Sequence, residues 1–343
     1  MHGTDDIKVP REEPASPGLL VGVGSALVDI LAHEDDAFLD AVGALKGGMV
    51  YVGPEHIEKT LAFAGGVPAV VPGGSACNTI VGVSRLGGRA RFIGKRGNGA
   101  MGEFFENTLR ANNVEPRLLR SNTPTGRVLS IITPDAQRSM FTFLGAAAET
   151  RAEEIAAELF HGAAIVHVEG YLLFNPELLR RALDLARSAG ARVSLDLASF
   201  NVVQESREFL GEMVDDYVDI LLANEEEARA YSGETEPLAA LAALSRGVEI
   251  AVLKTGERGS LIKNDGRVIA VPPAGDGRPV VDTTGAGDLW ASGFLYGLVS
   301  GYPLERCGEL GSVCGYEVCK VVGATIPDEG WRRIRERVEQ LEK

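Results

Sequence analysis

The stretch Val280-Val281-Asp282-Thr283-Thr284-Gly285-Ala286-Gly287-Asp288 runs into the apolar segment Leu289-Trp290-Ala291-Ser292-Gly293-Phe294-Leu295. It predicts a strand that ends, a tight turn of small residues and a helix that begins. Gly285, Ala286 and Gly287 leave the first helical amides sterically open, and such unsatisfied N–H groups at the positive end of a helix form an anion site that fits a phosphate. Asp288 falls inside that turn, where its charged form is favoured and where it could accept a proton from a hydroxyl beside the phosphoryl group. The same residues read equally well as an ordinary helix start, with Asp288 favouring the terminus and the glycines serving packing.

Three further constellations could do related chemistry. Pro72-Gly73-Gly74-Ser75-Ala76-Cys77-Asn78 opens a helix expected over Thr79 to Leu86. Its paired glycines let a ligand touch backbone, and the Asn78 side chain can donate and accept toward a hydroxyl-bearing molecule; a glycine turn with a polar N-terminal residue is the plainer reading. Asn224-Glu225-Glu226-Glu227 follows the apolar run Ile220-Leu221-Leu222-Ala223. These polar groups could hold a hydrated magnesium ion, which keeps most of its waters and takes one or two carboxylates, or they form a solvated helix start. In Leu253-Lys254-Thr255-Gly256-Glu257-Arg258-Gly259-Ser260, hydroxyl and glycine amides could cradle further phosphates, or form a simple β-turn.

The elements that must position these groups alternate. Leu19 to Gly24 reads as a buried strand ending in glycines. From Gly74 onward a helix (Thr79 to Leu86), a strand (Ala90 to Ile93) and a helix (Gly102 to Asn112) are followed by Ile165 to Val168, Pro176 to Ala189, Arg192 to Leu197 and Ile220 to Ala223. Such alternation predicts an α/β fold with a mostly parallel sheet flanked by helices and ligands at the carboxyl ends of its strands. Two regions break the rhythm: 28–53 carries the alternating segments Val28 to His33 and Met49 to Val52, and 125–144 reads as two strands joined by a turn at Pro134-Asp135-Ala136-Gln137. Together they predict a small β lid, set against a large body of 19–27, 54–124 and 145–343 and a flexible leader of 1–18.

Composition narrows the classes of partner. Lys and Arg total 34 against 48 Asp and Glu, a net charge of −14 across 343 residues, so no chain-wide positive field attracts nucleic acid. Any small anion must be held by local devices. The leader is charged and proline-rich with no apolar core of a secretory signal, and no run of 18 apolar residues occurs, which predicts a cytoplasmic protein without membrane attachment. Cys77, Cys307, Cys314 and Cys319 form no C-x-x-C pair and are expected as buried free thiols. There is no G-x-x-x-x-G-K-[ST] phosphate loop, and Gly22-x-Gly24 lacks the third glycine of a dinucleotide fingerprint.

Taken in order from Val21 to Pro327, these pieces resemble the ribokinase-like, or PfkB, family of small-molecule carbohydrate kinases. Asp282-Thr283-Thr284-Gly285-Ala286-Gly287-Asp288 is similar to that family's C-terminal signature, with Asp288 as base and Gly285, Ala286 and Gly287 as anion hole; Gly73-Gly74 with Asn78, and Asn224 with Glu227, look like its substrate-binding glycines and its N-x-x-E magnesium motif. Ser75 after the glycines is closer to the adenosine kinase branch. So is Gly24-Ser25-Ala26-Leu27-Val28-Asp29-Ile30, which puts Asp29 where a carboxylate grips a vicinal diol, although Ser25 stands where an asparagine is usual. The stretch Arg138 to Ala147 resembles that branch's lid strand, placing Met140 and Leu144 toward a flat base and Arg138 near the transferred phosphate. One departure is Gly94-Lys95-Arg96-Gly97-Asn98-Gly99, where the family normally carries an aspartate after the second glycine.

The resemblance implies an ATP-dependent kinase acting on a primary hydroxyl, of adenosine first, or of a furanose sugar, or a catalytically silent nucleotide-binding protein of the same fold. It implies ATP and Mg2+ as cofactors, admits a monovalent cation such as K+, and is compatible with a monomer or a homodimer. Thr255, Gly256 and Gly259 would contact the nucleotide, with Ser312 near its base.

Overall fold

The computed structural model describes residues 17–135 and 137–341. The expected leader therefore lies outside the described residues except for its last two positions, as does Ala136 of the expected turn.

The apolar run of β1 (Leu19–Val23) is buried along its whole length, as expected of a strand covered on both faces. The chain then leaves for a second sheet with β2 (Leu27–His33), β3 (Met49–Tyr51) and β4 (Ala69–Gly73), and returns with β5 (Ala90–Gly97) and β6 (Glu115–Ser121). After another excursion through β7 (Thr125–Ile132) and β8 (Arg138–Gly145), it completes the main layer with β9 (Ala163–Glu169), β10 (Arg192–Asp196), β11 (Ile220–Asn224), β12 (Ile250–Lys254), β13 (Ser260–Asn264) and β14 (Arg267–Val271). The large sheet has the order β14-β13-β12-β11-β10-β9-β1-β5-β6. It is parallel from β6 through β12 and closes with an antiparallel meander. The protein is thus an α/β fold with a large, mostly parallel sheet flanked by helices and a smaller sheet beside it.

Successive residues of each strand feed opposite cores. Val21, Val166, Val193 and Leu221 pack on one face with Leu179 and Leu183 of the Pro176–Ser188 helix. Leu20, Ile165, Ile220 and Leu222 pack on the other with Ile80 of the Ser75–Arg85 helix and Phe294 of the Ala286–Val299 helix. This second face also carries the last residues of four adjacent strands, Glu169, Asp196, Asn224 and Lys254, so a row of polar groups lies where an open parallel sheet presents its ligands.

The smaller sheet has the order β3-β8-β7-β2-β4. Its outer face, with Ile30, Leu129, Ile131 and Phe141, is covered by Leu39 and Ile57 from two short helices. The inner face therefore presents the alternate residues of each strand.

Several sequence expectations shift. The segment 54–73, assigned to the large body, sends β4 into the smaller sheet, pairing Gly73 with Leu27, and Pro72 is tolerated there because β4 is an edge strand. The helix expected from Thr79 starts at Ser75, directly after Gly74 at φ +95°. The strand expected before Gly285 does not form. The large sheet has already ended in the β13–β14 hairpin, so Val280 and Val281 are exposed and follow the C-terminal helices instead, with Val281 N–H donating to Cys319 O. All four cysteines are free and buried. Among the described residues, no helix is long and apolar enough to cross a membrane.

Candidate active site

A cavity of about 1190 Å³ lies between the inner face of the smaller sheet and the carboxyl ends of the large one. Of the residues singled out from sequence, Ser25, Asp29, Gly74, Ser75, Arg138, Met140, Leu144, Asn224, Glu227, Gly256, Gly259, Ser312 and the run Gly285-Ala286-Gly287-Asp288 line it. Positions separated by more than 250 residues in sequence are thus brought to one space.

Its floor is the N-terminus of the Ala286–Val299 helix. Gly285 sits at φ +72°, a conformation that favours glycine, and a Cβ there would lie 2.5 Å from Ala324 Cβ. Ala286 does not contribute an open amide as expected, because the turn that starts the helix directs its N–H to Thr283 O at 3.1 Å. The amides of Gly285 and Gly287 are the ones that could still meet an anion there. Asp288 Oδ1 accepts from Ser75 Oγ at 2.7 Å, and Oδ2 accepts from Asn78 Nδ2 at 2.9 Å. Asn78 therefore does not line the cavity as a ligand-binding amide; it holds Asp288 from behind. Burial raises the Asp288 pKa above the usual carboxylate range, against the opposing bonds from Asn78 and Ser75. Each carboxylate oxygen keeps a further lone pair for an incoming hydroxyl.

On the roof, Leu27 and Asp29 of β2, Val128 of β7, and Arg138, Met140, Thr142 and Leu144 of β8 face the cavity in strict alternation. Gly73 is not a cavity residue. A Cβ on it would lie 2.3 Å from Asp29 Oδ1, so the glycine makes room for that carboxylate, just as Gly74 admits the Ser25 carbonyl. Burial, together with the nearby Asp288 charge, outweighs Arg138 and raises the Asp29 pKa to about 6. Arg138 donates to Ser130 Oγ at 2.7 Å and lies 4.0 Å from Asp282. Tyr51, opposite Thr142 in the β3–β8 register, and Tyr171 and Phe174 add apolar surface to the cavity lining.

At the opposite end, Asn224 and Glu227 close a capping box: Glu227 accepts from Asn224 N–H and Nδ2 at 2.8 and 2.7 Å, and Asn224 Oδ1 accepts from Glu227 N–H at 2.9 Å. Glu227 is only 3% exposed, and burial raises its pKa despite the nearby Lys254. Among the described residues, no group of three or more His, Cys, Asp or Glu could hold a metal ion; Asn224 and Glu227 line the cavity and could meet a hydrated ion such as magnesium through its waters. Thr255 is turned away from the cavity, its hydroxyl donating to Gly259 O at 2.9 Å within the turn. Ser312 lines the space with its buried Oγ unpartnered. The Gly94–Gly99 stretch stays outside it, with Lys95 paired to Glu154 and Arg96 to Glu106.

Among the polar cavity residues that sequence reasoning did not single out are Glu169, Asp196 and Lys254. Glu169 is 1% exposed and accepts from Ser25 N–H at 2.8 Å and Ala76 N–H at 3.0 Å, tying the start of β2 to the start of the Ser75–Arg85 helix. Asp196 and Lys254 form an ion pair of 2.7 Å. Burial works against the Lys254 ammonium, but Asp196 and Glu227 outweigh it and raise its pKa. A charged residue closing an apolar run, in VHVE, VSLD and AVLK, is the signal that would have found all three.

The model of the family described as pfkB family carbohydrate kinase matches residues 39–330. A structure of adenosine kinase from Sinorhizobium meliloti is 32% identical, with a TM-score of 0.85 and coverage of 94% of this chain and 100% of that one. A probable sugar kinase from Rhizobium etli is equally similar, at 32% identity and a TM-score of 0.85, over 94% and 99% of the two chains. Among curated proteins, a nucleoside kinase of Methanocaldococcus jannaschii is 27% identical over 78% of this chain and 85% of its own length.

Proposed function

Because the chain belongs to the pfkB family of carbohydrate kinases, phosphotransferases with an alcohol as acceptor, we propose that it moves the γ-phosphoryl group of ATP to the primary hydroxyl of a nucleoside, adenosine preferred. The observation that carries the choice of acceptor is the apolar wall that Met140, Leu144, Val128, Tyr51, Tyr171 and Phe174 give the cavity into which Asp29 also faces, with Val128 opposite Asp29 in the β2–β7 register. Asp29 suits the vicinal diol of a ribose and the wall suits a flat base. A free sugar would leave that wall wet. Burying on the order of 100 Å² of a base is worth ~2.5 kcal/mol, about 70-fold in affinity.

In this reading the acceptor hydroxyl donates its proton to Asp288 as its oxygen bonds to the γ-phosphorus; the bond from that phosphorus to the β,γ-bridging oxygen breaks, and ADP leaves. The amides of Gly285 and Gly287 neutralise charge that builds on the phosphoryl oxygens. A magnesium ion, when bound, neutralises nucleotide phosphate charge; Asn224 and Glu227 would hold it through water, and Gly256, Gly259 and Ser312 would line the rest of the nucleotide. Four free cysteines suit a reducing, cytoplasmic setting.

A furanose kinase is the second reading, favoured by Asp29, which would grip the diol of either acceptor. Coupled ADP-release assays with adenosine, other nucleosides, ribose and fructose test the choice. The expected result is kcat/KM for adenosine at least about tenfold above any free sugar; a sugar ahead of every nucleoside overturns it.

A further inference from the structure

Lys254 is the last residue of β12, its side chain is 12% exposed, and its Nζ lies 2.7 Å from Asp196 Oδ2. On its other side the ammonium lies against the first turn of the Ala286–Val299 helix: a Cβ on Gly287 would sit 3.1 Å from Nζ. Two effects act against the ammonium there, while Asp196, Glu227 and Asp288 hold it charged. A helix N-terminus is a positive pole and disfavours a cation, and a lysine taken out of water loses hydration. A lysine kept only to neutralise Asp196 would be better placed away from that pole. Two positive devices converging on one point are stabilised together when an anion stands between them.

The charge around the cavity sharpens the point. Among the described residues that line it are the carboxylates Asp29, Glu169, Asp196, Glu227, Glu257 and Asp288, against the cations Arg138 and Lys254 alone. Arg138 is on the roof, bonded to Ser130. Lys254 is therefore the cation at the floor, beside Gly287 and within the field of Asp288.

We propose that Lys254 is a catalytic residue whose ammonium turns from Asp196 to the phosphoryl group in transit beside Gly287, a role that rests on the phosphotransfer reading above. It remains protonated throughout. The acceptor's proton still goes to Asp288, and Lys254 supplies a charge-assisted hydrogen bond to a phosphoryl oxygen that strengthens as charge builds there. Asp196 is then the positioning residue that aims the ammonium in the absence of nucleotide.

The test compares Lys254→Met, Asp196→Asn and the double variant with the wild-type protein, reading kcat, the acceptor KM, the melting temperature, and the dissociation constants of ATP and ADP by calorimetry. Lys254→Met is expected to lower kcat by roughly 10²- to 10³-fold, as for loss of one preorganised donor, with acceptor KM within about threefold. It is also expected to weaken ATP by about tenfold more than ADP, because only ATP carries the group Lys254 touches. The double variant, in which the buried charge is balanced again, should melt near the wild type and remain as slow as Lys254→Met. Recovery of kcat in the double variant, or equal weakening of ATP and ADP, overturns the proposal and leaves Lys254 as the counter-charge of Asp196. Should Lys254→Met melt below the assay temperature, Lys254→Gln takes its place with the same readouts. A wild-type protein that phosphorylates no tested alcohol would overturn the phosphotransfer reading; the ATP-to-ADP affinity ratio would still decide whether Lys254 touches the terminal phosphate.

Discussion

The floor and the roof of the cavity are built on different physics. On the side of the large sheet, taken here as the whole floor, the buried charged groups each have a partner in the ligand-free protein: Asp288 has Ser75 and Asn78, Asp196 has Lys254, Glu227 has Asn224, and Glu169 has the amides of Ser25 and Ala76. These groups stand on the large sheet and its helices, elements anchored in two extensive cores. The roof is a thin sheet of five strands with one small core on its outer side, and toward the cavity it offers mainly apolar surface with Asp29 and Arg138 set into it. A preorganised polar floor is what a charge-developing transition state requires, whereas an apolar roof selects by shape and area. Substitutions on the floor should therefore act on kcat and those on the roof on acceptor KM.

The largest expected effect is at the floor. Asp288→Asn removes the proton acceptor yet keeps the volume and the contact with Ser75, so kcat should fall by about 10²- to 10⁴-fold while the acceptor dissociation constant moves little. Wild-type turnover in that variant would remove Asp288 from its role and the floor from its half of the contrast.

Asn78→Ala probes the same base one step back. Its amide donates to Asp288 and favours the charged form, so losing it should raise the Asp288 pKa further. Since the ionised carboxylate is the active form, the acid limb of kcat/KM should move to higher pH. The loss should be roughly tenfold on the acid limb, in line with one charge-assisted bond of about 1.5–3 kcal/mol, and should shrink as the profile reaches its alkaline plateau. An unshifted profile would mean that Asn78 contacts the acceptor instead.

How far the sequence revealed this depended on the distance over which each signal acts. The glycine turn that opens the Ala286–Val299 helix was legible because Gly285, Gly287 and Asp288 are adjacent and their geometry is local. The role of Asn78 was not: its amide is a ligand group by type, and only folding reveals that it is spent on a carboxylate 210 residues away. Ala286 and Thr255 failed for a related reason, since a turn consumes donors that composition alone leaves free. The strand expected at Val280 was misplaced because an apolar β-branched pair looks the same whether or not a sheet edge is available to it. Glu169, Asp196 and Lys254 were within reach, each closing an apolar strand at the end where parallel sheets bind ligands.

Asp29→Asn tests the roof's half-buried carboxylate. With a folded pKa of about 6 against an ordinary value of 3.8, its ionised form is a liability in the ligand-free protein. The penalty is absent below about pH 4, builds between about pH 4 and 6, and has levelled off by pH 7.5, where it amounts to about 1–3 kcal/mol. The variant should thus melt at a higher temperature than the wild type at pH 7.5, by an amount that shrinks toward pH 5, and should bind a diol-bearing acceptor at least about tenfold more weakly. Equal melting temperatures at pH 7.5 would show that Asp29 is solvated.

The effect that separates nucleoside from sugar is confined to acceptor KM. Met140 and Leu144 lie on the inner face of β8, and truncating either removes apolar contact without touching any hydrogen-bonding group at the reaction centre. Met140→Ala should raise the KM for adenosine by about 5- to 30-fold, equivalent to roughly 1–2 kcal/mol of lost burial, with kcat little changed. Ribose provides the control, because it has no base to lose contact, and its KM should stay within about twofold. If truncation weakened both acceptors equally, the wall would be serving lid packing rather than reading a base, and the roof would tell acceptors apart only through Asp29. Because the reacting hydroxyl and its partners on the floor are the same for both acceptors, the ratio of the two KM changes isolates the roof's contribution even where the variant lowers overall stability.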